Sequence, residues 1–261
     1  MIKAKKSLGQ NFLIDQSVIE KVVNVVDIKG TNILEVGPGT GNLTIEILKK
    51  NPNELVVVEK DDELVDKLNL RFNKKIKIIN EDVLKINETE ISKKKLIVFG
   101  NLPYNISTEI LCKWILNLKN QFWFDCLILM FQKEVADRII ANSDTRNYGR
   151  LSIISQWVLE VEKIFDVKPS SFFPKPKIDS SLIFFKPKKN FFKFKNPKNL
   201  EKITRVFFMH RRKMIKKPFN QIFNGDLSVA NKLKIDLNLR PQNLDFETYY
   251  KLTEEYESLR S

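Results

Sequence analysis

The 261-residue sequence predicts an α/β fold: a mostly parallel, doubly wound sheet followed by a small all-helical domain. Three observations predict it. Short apolar runs alternate with amphipathic helical stretches through the first two-thirds of the chain. Gly37, Glu59, Asp82 and Asn101 all fall at or just past the carboxyl ends of those runs, where open parallel sheets gather their ligands. After residue 186 the strand signal stops and only helical periodicity continues.

In chain order, residues 16–26 set Val18, Val22 and Val25 on one helical face, with Asp15 as N-cap. A strand over 32–36 runs into the turn Glu35-Val36-Gly37-Pro38-Gly39-Thr40-Gly41, and a helix follows over 42–50. Residues 55–58 form a second strand ending at Glu59, and 61–72 the next helix. Strands over 76–79 and 96–99 end near Asp82 and Asn101. A helix over 106–118 and strands over 126–131 and 181–185 complete a first domain of residues 1–186. Residues 186–198 read as a basic, aromatic-rich linker with Pro187 and Pro197. Helices over 200–216, 227–235 and 246–259 then make a second domain, 187–261.

Composition narrows the function classes. No apolar run approaches the ~20 residues of a membrane span, and residues 1–6 carry charge with no apolar segment behind them, so neither an anchor nor a secretory signal is expected. Cys112 and Cys126 both sit in apolar runs, as buried free thiols of a reducing, cytoplasmic compartment do. With two cysteines and one histidine, no structural metal site is expected, and nothing around His210 has the spacing of a catalytic triad.

The net charge of +13 is uneven, for residues 186–217 hold 13 basic side chains against Glu201 alone. Such a block attracts a polyanion. The 36 lysines by themselves do not separate a binding face from a solvated surface. The arginines are more selective: there are nine, and Arg211 and Arg212 are adjacent, followed by Lys213, as bidentate phosphate contacts favour.

The tetrad Asn101-Leu102-Pro103-Tyr104 is the sharpest chemical signal. At a strand end it presents a side-chain carbonyl, a backbone carbonyl and an aromatic face to a flat heterocycle with an exocyclic amine. That amine is a poor nucleophile, because its lone pair is delocalised into the ring; two acceptors on its N–H bonds push it toward a pyramidal, reactive state. The Gly-rich turn lacks the G-x-G-x-x-G spacing of a dinucleotide fold and suits a nucleotide-like ligand or a plain strand-to-helix turn. Glu59 can accept both hydroxyls of a ribose, and Asp82 either an adenine amine or the N–H groups of a turn. Tyr148 to Ser152, and the proline-stiffened run Phe172-Phe173-Pro174-Lys175-Pro176-Lys177, are expected to flank the same face. The second offers rings on which an unpaired base can stack.

These residues resemble a known family. Ser7-Leu8-Gly9-Gln10-Asn11-Phe12-Leu13, the turn from Glu35 to Gly41, Phe99 to Ser107, Gln132-Lys133-Glu134-Val135, Tyr148 to Ser152, Phe173 to Ser180 and Arg211-Arg212-Lys213 match the ribosomal RNA adenine N6,N6-dimethyltransferases, the KsgA (RsmA) type of bacteria. The resemblance implies a Rossmann-like class I methyltransferase domain that uses S-adenosyl-L-methionine, with a basic helical RNA-binding domain behind it. It implies dimethylation of two adjacent adenines near the 3′ end of small-subunit (16S) ribosomal RNA, in an immature 30S-type subunit, by a monomer. Carried over by position, Asn11 and Leu13 close over the cofactor, Gly37 lies against its methionine part, Glu59 on its ribose and Asp82 on its adenine. Asn101 and Leu102 stand at the junction with the target base, and Tyr104 and Phe172 sandwich that base. Arg211, Arg212 and Lys213 fall on the RNA. The chain departs from the family at Phe173, where many members have a smaller residue, and in the density of lysines over 186–198.

Three alternatives stay open on the sequence. Erythromycin-resistance methyltransferases share the chemistry but typically read Asn-Ile-Pro-Tyr, where this chain has Leu102. DNA adenine methyltransferases more often read Asp-Pro-Pro-Tyr or Asn-Pro-Pro-Tyr. A mainly non-catalytic ribosome-assembly or RNA-binding factor would be expected to have lost some of Gly37, Glu59, Asp82 and Asn101, and all four are present.

Overall fold

The computed structural model describes residues 4–5, 8–118 and 121–260. The chain divides into two compact units: Met1–Lys113, Leu118–Ala136 and Val161–Pro187 in the first, and Trp114–Asn117, Asp137–Glu160 and Lys188–Ser261 in the second. The sequence groups 137–160 with the first domain; the structure assigns it to the second unit, which is therefore discontinuous in the chain.

In chain order the elements are β1 (Phe12–Leu13), α1 (Gln16–Val23), β2 (Asn32–Val36), α2 (Asn42–Lys49), β3 (Glu54–Glu59), α3 (Asp62–Phe72), β4 (Lys77–Asn80), β5 (Leu96–Asn101), α4 (Ser107–Leu116), β6 (Phe124–Gln132), α5 (Lys133–Ile139), α6 (Arg150–Val158), β7 (Leu159–Val167), β8 (Phe172–Phe173) and β9 (Ser180–Pro187), then α7 (Lys198–Phe208), α8 (Lys216–Phe223), α9 (Ser228–Leu233) and α10 (Phe246–Ser258). Seven strands form one sheet in the order β4-β3-β2-β5-β6-β9-β7. The pairs from β4 to β6 are parallel, and β9 joins β6 antiparallel. This is the Rossmann-like α/β arrangement that the alternating pattern predicts. All of β2 is buried and so is nearly all of β5, which is why both read as apolar runs rather than alternating ones.

Local chemistry explains the element ends. The Asp15 side chain accepts from Ser17 N and Val18 N, so α1 starts where its N-cap predicts, and Ile19, Val22 and Val23 form its buried face. Five elements escape the sequence reading. β1 and β8, a separate antiparallel pair, are two residues each and too short to show a period. β7 lies at the sheet edge and mixes charged with apolar residues, and α5 and α6 fall in a stretch with no clear boundary signals.

In the second unit the rings make the core. Trp157 stacks on Phe194 at 4.8 Å and donates from its indole to the Phe192 carbonyl at 2.8 Å. The run over 186–198 is thus no bare linker, since its aromatic residues pack on α6. Tyr148 is fully buried, edge-on to Phe208 and Phe246. Ser152 accepts from Gly149 N and donates to the Arg138 carbonyl. The Tyr148 to Ser152 motif therefore builds the core of this unit, contrary to the expectation that it flanks the ligand face. Its first predicted helix, 200–216, is shorter: α7 ends at Phe208, and the next helix, α8, begins only at Lys216.

Candidate active site

Register brings the predicted residues to one edge. Val36 pairs with Val58 on one side and Gly100 on the other, and Glu59 pairs with Asn80. Gly37, Glu59 and Asn101 therefore leave the sheet from three adjacent strands, with Asp82 two residues past a fourth. One cavity at that edge is lined by Asn11, Leu13, Gly37, Glu59, Asp82, Asn101, Leu102 and Tyr104. Of the residues predicted for cofactor and target base, Phe172 alone does not line it. Phe172 is buried in the hydrophobic core, paired with Leu13 across the β1–β8 ladder. Ser7, the first residue of the N-terminal motif, lies outside the described residues.

The Gly-rich turn is a backbone wall. Gly37, Gly39 and Gly41 have φ of 70°, 56° and 80°, a region open to glycine at little cost. A Cβ at Gly39 would come within 2.7 Å of the Phe12 ring, whereas one at Gly37 would stand 3.7 Å from the Asn101 carbonyl oxygen, in the gap between the two strand ends. Glycine at 37 thus keeps open the space that separates the turn from the tetrad.

Glu59 is held by three backbone donors: Lys60 N and Asp61 N on Oε1, at 2.9 and 3.0 Å, and Gly39 N on Oε2 at 3.2 Å. Burial raises its carboxyl above the ordinary range, and these N–H bonds oppose the rise. Asp82 accepts from Lys60 Nζ at 2.8 Å and from Leu84 N at 3.0 Å, and the lysine holds it below the ordinary range. Asp82 thus caps its own turn and pairs with Lys60, and its carboxylate still borders the cavity.

At the tetrad, Asn101 Nδ2 donates to the Asn11 carbonyl at 2.7 Å. With the amide oriented in this way, Oδ1 is the acceptor. Tyr104 Oη and Ser180 Oγ share a hydrogen bond of 2.6 Å, which fixes the ring. Leu102 is 1% exposed and packs its side chain where a Cβ on Gly100 would stand, so its backbone, not its side chain, is what it offers a ligand.

The sequence passes over several residues of this site. Glu35, at the start of the Gly-rich turn, is fully buried with its carboxyl pushed up to about 8 by desolvation; Thr44 donates to Oε2, and Oε1 has no partner. Asp61 accepts from Lys5 Nζ and Gln10 Nε2, at 2.7 and 2.8 Å, which ties the N-terminal segment to α3. Burial pushes the Asp61 carboxyl up, but these bonds outweigh it and hold it low. Lys113 on α4 donates to the carbonyls of Val83 and Ile86 and to Glu88, and so anchors the turn after Asp82. A carboxylate at a strand end is a local signal, while these partners lie 25 to 56 residues apart and leave none.

In the second unit, Arg212 and Lys213 are exposed. Arg211 is half-buried: its guanidinium donates to Gln242 Oε1 at 3.2 Å and to the Thr145 carbonyl at 3.1 Å. Part of its role is thus to brace its own unit.

S-adenosylmethionine carries an ammonium and a sulfonium, a ribose diol and an adenine. The residues present fit it: Glu35 Oε1 is a buried oxygen without a hydrogen-bond partner, Glu59 and Asp82 border the same cavity, and Gly37 leaves room beside Asn101. Among the described residues, no group of three His, Cys, Asp or Glu could hold a metal ion.

A family model for ribosomal RNA adenine dimethylase matches residues 1–258. The chain is 65% identical over 259 residues to the ribosomal RNA small subunit methyltransferase A of Pelagibacter ubique (strain HTCC1062), covering 99% of both chains. It is 42% identical over 255 residues to the protein of the same name from Ehrlichia ruminantium (strain Gardel), covering 95% of each. Among solved structures it is similar to a dimethyladenosine transferase from Plasmodium falciparum, with a TM-score of 0.81 and 27% identity over 95% of this chain and 98% of that one. The 23S rRNA methyltransferase ErmE has a TM-score of 0.68 at 20% identity, over 95% of this chain and 100% of that one, a likeness of fold alone. The chain belongs to the ribosomal RNA adenine dimethylase family.

Proposed function

We propose that this chain uses S-adenosylmethionine to dimethylate the N6 amines of two adjacent adenines near the 3′ end of small-subunit ribosomal RNA. The observation that carries the reading is the Asn101 amide. Its donor is spent on Asn11, so its oxygen is left as an acceptor beside the gap that Gly37 keeps open.

The cofactor, when bound, supplies a methyl group already activated by its sulfonium, so the chain need neither create a leaving group nor supply a base of shifted pKa. What its residues contribute is alignment and electrostatics. Glu59 and Asp82 hold the nucleoside end, and Glu35 faces the cationic end. Asn101 Oδ1 and the Leu102 carbonyl accept from the adenine amine, which localises the nitrogen lone pair as positive charge develops there. The Tyr104 ring, fixed by Ser180, holds the base plane. The amine proton leaves to water once the nitrogen is cationic. A second round at the same nitrogen needs one remaining N–H, and Asn101 Oδ1 can accept it.

The adenines must be unstacked to reach the cavity, at a cost of a few kcal/mol. This favours an immature 30S-type subunit as substrate, met in the cytoplasm. In this reading the protein acts as a monomer. Arg212 and Lys213 on the helical unit contact the RNA backbone. The small-subunit name of its full-length relatives favours this reading over large-subunit methylation.

Purified protein incubated with labelled cofactor and ribosomal RNA tests it by mass spectrometry of the digested RNA. N6,N6-dimethyladenosine in two adjacent positions of the small-subunit RNA is expected. Label confined to large-subunit RNA, or none in either, overturns the assignment.

A further inference from the structure

The β1–β8 ladder decides which ring of the Phe172–Phe173 pair meets solvent. Phe12 pairs with Phe173, and Leu13 with Phe172, in antiparallel register. Residues directly opposite each other project to the same face of a ladder, and successive residues to opposite faces. Leu13 and Phe172 share the face that joins the hydrophobic core. Phe12 and Phe173 share the other. Phe12 lines the cavity, with its ring against the Gly39 turn. Phe173, beside it, is 53% exposed. Lys175 and Lys177, on the same loop, are also exposed, and the loop continues to Ser180, whose hydroxyl fixes Tyr104.

A ring half in water, paired across the ladder with a residue that lines a base-binding cavity, is a stacking surface without a partner. Drawing an adenine out of its stack strips the next base of a neighbour. We infer that Phe173 is the platform on which the nucleotide adjacent to the target adenine stacks, with Lys175 and Lys177 on the phosphates beside it. This rests on the reading of the cavity as an RNA adenine site, and it separates two roles that the motif runs together: Phe172 supports the ladder from the core, and Phe173 meets the RNA. Two adjacent substrate adenines give the platform its use, since either one is the neighbour while the other is being modified. Stacking needs only a π-face, so the platform holds the neighbour before and after methylation.

The test uses the full chain as wild type, Phe173→Ala and Phe173→Trp. Each binds a short RNA with 2-aminopurine beside the target adenine. Fluorescence quenching reports stacking, calorimetry gives cofactor affinity, and steady-state assays give KM for RNA and kcat. Phe173→Ala is expected to lose the quenching and raise KM for RNA about 5- to 150-fold, with cofactor affinity unchanged, and Phe173→Trp is expected to restore both. Unchanged quenching and KM in Phe173→Ala overturn the inference. So does a Trp variant no better than Ala, which would leave Phe173 a shape-specific packing residue. Quenching by a wild-type protein that methylates neither adenine would defeat the methyltransferase reading and leave the platform standing.

Discussion

Asn101 Nδ2 and the Asn11 carbonyl oxygen are 2.7 Å apart, so the end of β5 is bonded to the segment that enters β1. That bond orients the amide, and the same segment lines the cavity through Leu13. A side chain that would otherwise rotate is thereby committed to presenting oxygen to a ligand.

We predict that Asn101→Ala lowers the single-turnover rate about 100- to 1,000-fold while RNA affinity changes little. The lost acceptor matters most when the adenine nitrogen becomes positive, so its removal falls on turnover rather than on ground-state binding. Rapid-quench measurement with prebound RNA checks it, and a rate near that of wild type would remove Asn101 from the chemistry.

Glu59 calls for a gentler substitution than alanine. Its carboxylate accepts three backbone N–H groups, so Glu59→Ala would strip Gly39, Lys60 and Asp61 of an acceptor and loosen the turn itself. Glu59→Gln keeps one oxygen acceptor and loses the charge. We expect it to weaken S-adenosylmethionine binding by about 1.5–3 kcal/mol with the fold retained, as for a hydrogen bond to a charged group. Isothermal titration together with a melting curve separates the two effects.

Glu35 gives a pH dependence with a definite sign. Its ordinary value is 4.5, and burial pushes it up to about 8 in the folded chain. Between those values the folded state holds a proton that the unfolded state has released. The stability this contributes is full below 4.5 and is lost as pH rises through about 8. Glu35→Gln cannot titrate, so its Tm is expected to fall less steeply than that of wild type across that window. A cationic ligand favours the ionised carboxyl, so wild-type cofactor binding is expected to release a proton there and to tighten as pH rises. Calorimetry in buffers of different ionisation enthalpy counts that proton.

Lys113 fastens the Asp82 side of the cavity from a distance. Its ammonium reaches Val83 O at 2.9 Å, Ile86 O at 2.5 Å and Glu88 Oε1 at 2.5 Å, and Val83 and Leu84 line the cavity. Lys113→Met is expected to cost about 1–3 kcal/mol of stability. It should also raise KM for the cofactor more than it lowers kcat, since no reacting atom is touched. A kcat loss with KM intact would contradict a positioning role.

How far the sequence reaches depends on whether a feature is local. Gly37, Glu59, Asp82 and Asn101 are legible because each follows an apolar run, and parallel strands share a carboxyl edge. The Asp61 link to Lys5 and Gln10 is not, because it joins segments with no common period. Trp157 and Phe194 are 37 residues apart, and their stacking is what carries α6 and the run after Pro187 into one unit. The motif containing Phe172 and Phe173 can be read as letters. Which ring is covered depends on a ladder two residues long, set by pairing with Phe12 and Leu13.

The basic segment divides on the same principle. Arg211 spends its guanidinium on Gln242 and Thr145, whereas Arg212 and Lys213 are exposed. Adjacent letters of one motif therefore make different predictions. If Arg212 and Lys213 each meet a phosphate, replacing both by Ala reduces the slope of log affinity against log salt by about 1–2 units, and weakens binding alike across RNA sequences. Arg211→Ala is expected instead to lower the melting temperature, with less change in slope, because its loss frees an acceptor on Gln242 and unties Thr145. Cofactor affinity should be unchanged in both variants, because every residue lining the cofactor cavity lies before 110. Titration of a ribosomal RNA fragment across salt, paired with thermal melts, distinguishes the roles. Parallel salt lines for wild type and the Arg212/Lys213 variant would make that surface a solubilising one. A steeper loss of slope from Arg211→Ala than from the double variant would mean that its contacts to Gln242 and Thr145 yield to the RNA on binding.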